Sequence, residues 1–298
     1  MSRQVQGYVY LALAMLTVGS TVIASKLIAS GLPPFSATAL RFAIAFPVLL
    51  LLMRATGARL PKLSRQDRLI LVIQAGAGSV GYTTLLISGL SLTSAADAGV
   101  IIGTLPVVSA AISILLLRER PQRALLLAVA LATAGVLSIA LTPDAAGGSL
   151  TGNALIFLAV VCEGLFILLN KRLKTEIAPL AQSTLMAGIG FIVAAIPAIF
   201  EAPFAHGIST SALGAVVFYA LVPTVGGFLL WYAGAERVSG TEAALFTALA
   251  PVSAVMLAFI ILGEPVGLSQ IAGIACVLAA VLGLAFAGSR TVKLAGGR

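Results

Sequence analysis

The sequence predicts an all-α membrane protein: ten transmembrane helices, arranged as two inverted five-helix repeats around a central cavity. Three observations predict it. Only 9% of the 298 residues are charged while 60% are apolar, against roughly 25% charged in an ordinary soluble domain. The apolar residues form long charge-free runs, and about 20 such residues carry a helix across about 30 Å of hydrocarbon. Barrel strands instead alternate over segments of about ten residues. Finally, the chain matches itself at a constant offset of 145 residues, from Gly7 on Gly152 to Glu119 on Glu264.

The first span, 7–30, contains a charge-free run from Gln4 to Ser25. That run is too long for the core of a signal peptide, and nine further spans follow, so no cleavage is expected. The second span, 35–54, follows Pro34 and closes at Arg54. The longest polar connection, Arg54 to Arg68, leads to the third span, 69–90. The fourth, 96–117, enters through Thr93-Ser94, carries Pro106, and closes at Arg118-Glu119-Arg120. The fifth, 123–141, ends at a glycine-containing linker. The second half then repeats the scheme as spans 151–170, 179–200, 211–233, 241–262 and 267–288, with Pro251 in the ninth. The expected organisation is a first repeat over 1–142, a linker over 143–150, and a second repeat over 151–298 with a short basic tail. No soluble domain fits between the spans.

Orientation follows from the basic residues, which accumulate on the cytoplasmic side of membrane proteins. Sixteen of the eighteen Lys and Arg fall on one side, in the N-terminus, the even-numbered loops and the tail. Lys26 and Arg41, which flank the first loop, are the exceptions. Both termini are therefore expected in the cytoplasm, and the net charge of +8 reflects topology rather than a nucleic-acid surface. Cys162 and Cys276 lie in apolar runs and supply neither a disulfide framework nor metal-ligand spacing.

The 145-residue offset also superposes Gly19 on Gly164, Lys26 on Lys171, Pro34 on Pro179, Gly81 on Gly226, Gly89 on Gly234, Ser94 on Ser239, Asp97 on Glu242 and Pro106 on Pro251. Rare charges and mid-span prolines at one offset are hard to ascribe to composition. Five is odd, so the second half enters the membrane from the opposite side. Inverted repeats of this kind are a signature of secondary transporters, whose halves exchange which side is open. A duplicated scaffold without transport is the bland alternative.

Both halves resemble the EamA-type repeat of the drug/metabolite transporter superfamily. The first half has Ala39-Leu40-Arg41-Phe42 after Pro34, then Thr93-Ser94-Ala95-Ala96-Asp97-Ala98-Gly99, Pro106 and Arg118-Glu119-Arg120, before Gly135 in its fifth span. The second half has Ser239-Gly240-Thr241-Glu242-Ala243-Ala244, Ala250-Pro251-Val252, Gly263-Glu264-Pro265, and Gln270 with Gly273. The likeness covers nearly the whole chain and is greatest to bacterial amino-acid and metabolite exporters, near the aromatic amino-acid branch. Met186 stands where the second half would repeat Arg41, so any role of that arginine is not duplicated. The resemblance implies a cavity surrounded by the first, third, fourth, sixth, eighth and ninth helices. It also implies export of small metabolites without ATP from a bacterial inner membrane.

Glu163 is the lone carboxylate deep within a span. A charge at the bilayer centre costs about 2.5–3.5 kcal/mol on insertion scales and so faces protein or water. It would bind a substrate ammonium group, carry a coupled proton, or serve as a structural group beside Gly164. Gln74, Gly78 and Tyr82 follow i, i+4, i+8 spacing on one face of the third span, an amphipathic wall suited to a side chain and water. Trp231 and Tyr232 close the eighth span as either an inner gate or part of the aromatic belt; Tyr8 and Tyr10 read as belt. Pro106 and Pro251 free the carbonyls of Ile102 and Thr247 and are expected to act as paired hinges, or as static kinks. Lys26, Arg41, Asp97 and Glu264 would form an outer gate, or such rim charges would snorkel to the interface or pair structurally. Glu119 and Glu242 hold the matching inner positions.

The expected function is export of amino acids, aromatic and others, by alternating access. The substrate-binding set is Gln74, Gly78, Tyr82, Glu163 and Trp231. A proton-coupled drug or cation exporter using Glu163 is the rival within the class. Outside it stand a membrane enzyme and a non-transporting structural protein. An enzyme would need clustered nucleophiles, metal ligands or paired mid-membrane carboxylates, and one Glu with the loop residue His206 falls short. No catalytic residue, metal or cofactor is expected. The partners expected are small-molecule amino acids or related metabolites and the lipid bilayer, with no nucleic acid, and the chain is expected as a monomer.

Overall fold

The structure is a computed structural model that describes residues 3–117, 123–140, 149–170, 172–201, 209–238, 246 and 249–280. Where described, every expected span is helical: α1 (Arg3–Ala29), α2 (Pro34–Ala55), α3 (Arg65–Leu90), α4 (Ala95–Ile102 and Leu105–Leu117), α5 (Arg123–Ala140), α6 (Leu150–Asn170), α7 (Pro179–Ala198), α8 (Thr210–Ala235), α9 (Leu249–Leu262) and α10 (Leu268–Ala280). The inner-rim residues Glu119 and Glu242, linker residues 143–148, His206, Thr247 and the basic tail lie outside the described residues.

Local chemistry sets the helix starts. Pro34 and Pro179 occupy the first positions of α2 and α7, where the missing N–H costs nothing. Ser64 and Ser94 cap α3 and α4 by accepting from the amides of Asp67 and Asp97, each at 3.0 Å. The side chains of Leu51, Ile192, Phe200, Ile260 and Leu268 are exposed on the bundle's outer wall. That surface suits lipid and not water.

Lipid is as apolar as leucine, so close packing rather than burial holds such helices together. The glycines supply that packing, and they do so twice. A methyl added to Gly7 would meet Val238 and the Gly234 carbonyl; one added to Gly152 would meet Thr93 and the Gly89 carbonyl. A methyl on Gly234 would strike Leu11, and one on Gly89 would strike Ile156. Each partner in the second half lies 145 positions after its counterpart, so α1 crosses α8 as α6 crosses α3. Likewise α1 meets α9 at Gly19 and Ala254, and α6 meets α4 at Gly164 and Ser109.

Two departures from regular helix matter for the centre. The fourth span is not continuous: α4 turns at Gly103–Thr104, just before Pro106. Proline has no N–H to give and crowds the carbonyl four residues earlier. In the break, the Ile101 carbonyl accepts from both the amide and the hydroxyl of Thr104, at 3.0 and 2.7 Å. Second, α3 and α8 each contain a π-helical segment, Ala75–Gly81 and Ala220–Gly227. These segments begin 145 residues apart, and no pattern in the sequence announces them.

At the rim, Lys26 and Glu264 are held by backbone ends rather than by each other. Lys26 donates to the carbonyls of Leu90 and Thr93, at 2.9 and 2.6 Å, closing the C-terminus of α3. Glu264 accepts from the amides of Ala95 and Ala96, at 3.1 and 3.0 Å, and so covers the N-terminus of α4. Arg41 is absent from the rim altogether. Backbone ends offer partners at these positions, and α2 begins early enough to carry Arg41 two turns into the bundle.

Candidate functional site

A cavity of about 170 Å3, counted as space open to the centre of a water molecule, lies between the halves. That is room for on the order of ten waters, or for one solute the size of an amino acid. Its walls come from α1, α3, α4, α6, α8 and α9, together with Arg41 of α2. The lining is largely apolar, with Met15, Val18, Ile102, Leu105, Phe166 and Phe228 among its residues.

The π segments shape its middle. A wide turn bonds i to i+5, leaves a bulge in the helix wall and recurs at functional sites. Gly78 and Ser79 come from the segment in α3; Pro223, Thr224 and Gly227 come from the one in α8. Thr224 donates to the Tyr219 carbonyl five residues back, at 2.8 Å, which holds the α8 bulge. Gly78 is required by contact: a methyl there would sit 2.2 Å from Phe166 Cβ.

Of the residues expected at the site, Gly78, Tyr82, Glu163, Trp231 and Pro106 line the cavity. Gln74 and Pro251 do not. Gln74 is fully buried and donates from Nε2 to the Phe166 carbonyl at 3.1 Å and to Asn170 at 3.4 Å. Gln182 donates to the same Asn170 oxygen, so three amides tie α3, α6 and α7 below the cavity. The i, i+4, i+8 face holds only in a regular helix. The π segment begins immediately after Gln74 and shifts the phase of all that follows. Pro251 packs near Gly103 instead, while its neighbour Ala250 reaches the lining. Trp231 and Tyr232 face inward rather than toward lipid headgroups.

Two charges oppose each other inside. Glu163 is half-buried, its exposed part facing the cavity, and its carboxylate has no hydrogen-bond partner among the described residues. Arg41 is 6% exposed. Its guanidinium packs on two rings, 4.1 Å from the centroid of Phe42 and 4.5 Å from that of Tyr219. Nη2 donates to the Ser79 carbonyl at 3.2 Å, and Nε is buried without a partner among the described residues. The two charges act on one another electrostatically without closing an ion pair.

Sequence reasoning placed Arg41 on the outer flank and so missed it. The available signal was its position, seven residues beyond Pro34 with Met186 as its counterpart. An arginine whose repeat partner is apolar has a task that the scaffold does not require twice. Tyr219 and Phe166 were missed for a simpler reason: in runs apolar on every side, no pattern marks which aromatic faces inward.

The EamA-like transporter family model matches the chain twice, over residues 5–141 and 150–286. The uncharacterized transporter YetK of Bacillus subtilis is 36% identical over 285 residues, covering 94% of this chain and 86% of its own. A probable terminal-alkyne amino-acid exporter of Streptantibioticus cattleyicolor is 27% identical, covering 84% of each chain. A solved crystal structure superposes with a TM-score of 0.65 at 21% identity, covering 97% of this chain and 98% of that one. That last likeness speaks to the fold alone.

Proposed function

Because the chain belongs to the EamA-like transporter family, we propose that it exports amino acids, aromatic and others, across a bacterial inner membrane by alternating access. Both termini lie in the cytoplasm in this reading, with the basic loops on that side. Substrate enters the cavity from the cytoplasm, and exchange of the two halves' conformations releases it outside. Gly78, Tyr82, Glu163 and Trp231 contact it, Gln74 secures α3 beneath it, and Pro106 and Pro251 sit where the helices tilt.

The observation that carries this reading is Glu163: a carboxylate outside any ion pair among the described residues, facing a mostly apolar chamber of amino-acid size. A carboxylate there suits an ammonium group, and the apolar wall suits an uncharged side chain. The relative from Streptantibioticus named as a probable amino-acid exporter points the same way.

The same carboxylate favours a second reading, export of a cationic drug in exchange for protons. The test is uptake into proteoliposomes of a panel of radiolabelled amino acids, with and without a pH gradient. Flux of several amino acids without the gradient is expected. Absence of amino-acid flux under both conditions would sink the substrate assignment and favour the cationic one.

A further inference from the structure

We propose that Arg41 anchors the substrate carboxylate, so that Arg41 and Glu163 together select amino-acid zwitterions over amines of the same shape. The assignment rests on the amino-acid reading above and deepens it. It begins from the cost of the arginine. A guanidinium carries five N–H donors and keeps its charge, and a buried donor left unpaired is costly. Here Nη2 donates to the Ser79 carbonyl and the Tyr219 side chain offers a second hydrogen-bond partner, while Nε–H is buried with no acceptor among the described residues. Nothing in the packing of the two halves calls for this residue, since Met186 fills the equivalent place and is fully buried.

Geometry then says what can complete it. The rings of Phe42 and Tyr219 pack against the guanidinium, and because the group is planar its donors lie along its edge. A carboxylate takes such an edge in two parallel hydrogen bonds, whereas an ammonium or an apolar group cannot. Glu163 is the natural internal candidate, yet the two form no ion pair, and its carboxylate also stays without a hydrogen-bond partner among the described residues. Two opposite charges, each incomplete and both on the lining of one cavity, match the two ends of a zwitterion. The side chain would then lie toward Phe166, Phe228 and Trp231.

Trp231 provides the readout, being the chain's single tryptophan and part of the lining. Its fluorescence in the purified full-length protein would be titrated with L-leucine, leucine methyl ester, and 3-methylbutylamine, which is leucine without its carboxylate. Wild-type protein is expected to bind leucine about 10- to 100-fold more tightly than either analogue, the range for a hydrogen bond to a charged group. Arg41→Met should remove that preference and leave the amine's affinity unchanged. Arg41→Lys, which keeps the charge without the fork, should fall between.

Equal affinity of wild-type protein for leucine and its methyl ester would overturn the assignment without any variant. So would an Arg41→Met protein, folded by its thermal unfolding, that keeps the preference or weakens all three ligands alike. In both cases the amino-acid reading would survive. If wild-type protein bound the amine and not leucine, the amino-acid reading itself would fall, and the anchor with it.

Discussion

Glu163 sits in α6 as the carboxylate that faces the cavity from mid-span, and its two candidate tasks make opposite predictions. If it holds a substrate ammonium, Glu163→Gln removes a charge-assisted hydrogen bond, and the KM for leucine uptake should rise about tenfold or more. The dependence on a pH gradient should not change. If it carries a proton, the same substitution should spare binding and abolish gradient-driven accumulation. We expect the first pattern, read from initial rates in proteoliposomes at two internal pH values; the second would return the cavity to cations. Glu163 was legible in the sequence because a lone carboxylate in a long apolar run is costly in lipid and must therefore face protein or water. Arg41 was not, because a long basic side chain near a span's end looks the same whether it turns outward to the interface or inward to a cavity. What decides is the partner ring of Tyr219, which comes from another helix and a distant part of the chain.

Within the helices, the paired π segments of α3 and α8 place the cavity's small and polar groups, and they depend on glycine at points of closest approach. Gly78 and Gly76 separate the two roles a glycine can have in such a segment. A methyl at Gly78 would be driven into Phe166 of α6, whereas a methyl at Gly76 would meet nothing within 4 Å. Gly78→Ala should therefore destabilise by about 1–3 kcal/mol, the range for overpacking a tight interior, and should shrink the cavity at its waist. Gly76→Ala should be neutral or slightly stabilising, because alanine favours helix. Thermal unfolding in detergent checks both, and equal melting temperatures would show that α3 can move away from α6 at no cost. The kink at Pro106 was readable, since proline forbids a specific bond. The π segments were not. A wider turn betrays itself by slipping the phase of an amphipathic pattern, and a helix apolar on all sides has no pattern to slip. The same lack of phase is why the expected face of Gln74, Gly78 and Tyr82 came apart in the fold.

Across the whole molecule, the repeat was the most legible feature, because a constant offset survives even where each half has diverged; the lopsidedness of the cavity was not, since both halves carry nearly the same sequence marks. Thr21, Arg41, Thr83 and Ile102 are the lining residues toward the end of the bundle where Lys26 lies. Each is about seven or eight residues from its helix terminus there, roughly 10–12 Å at 1.5 Å per residue. Toward the basic-loop end, Ile167 and Tyr232 reach the last turn of α6 and α8. The intervening layer holds Ile23, Leu86, Leu90 and Ile101 in one packed cluster. Above it, Glu264 joins the end of α9 to the start of α4, and Gln270 of α10 donates to Asp97 at 2.8 Å. An inverted-repeat transporter must open this end in its other state, so the Glu264 contacts stabilise only one of the two. Removing charge-assisted bonds worth more than about 1.4 kcal/mol should shift the balance by about tenfold. The measurement is labelling of Ser25→Cys, fully buried in this structure, by an impermeant maleimide, after replacement of Cys162 and Cys276. Labelling from the side opposite the basic loops should be slow in the parent and about tenfold faster when Glu264→Gln is added. An unchanged rate would mean that Glu264 only caps α4 and that the closed end is held by packing alone.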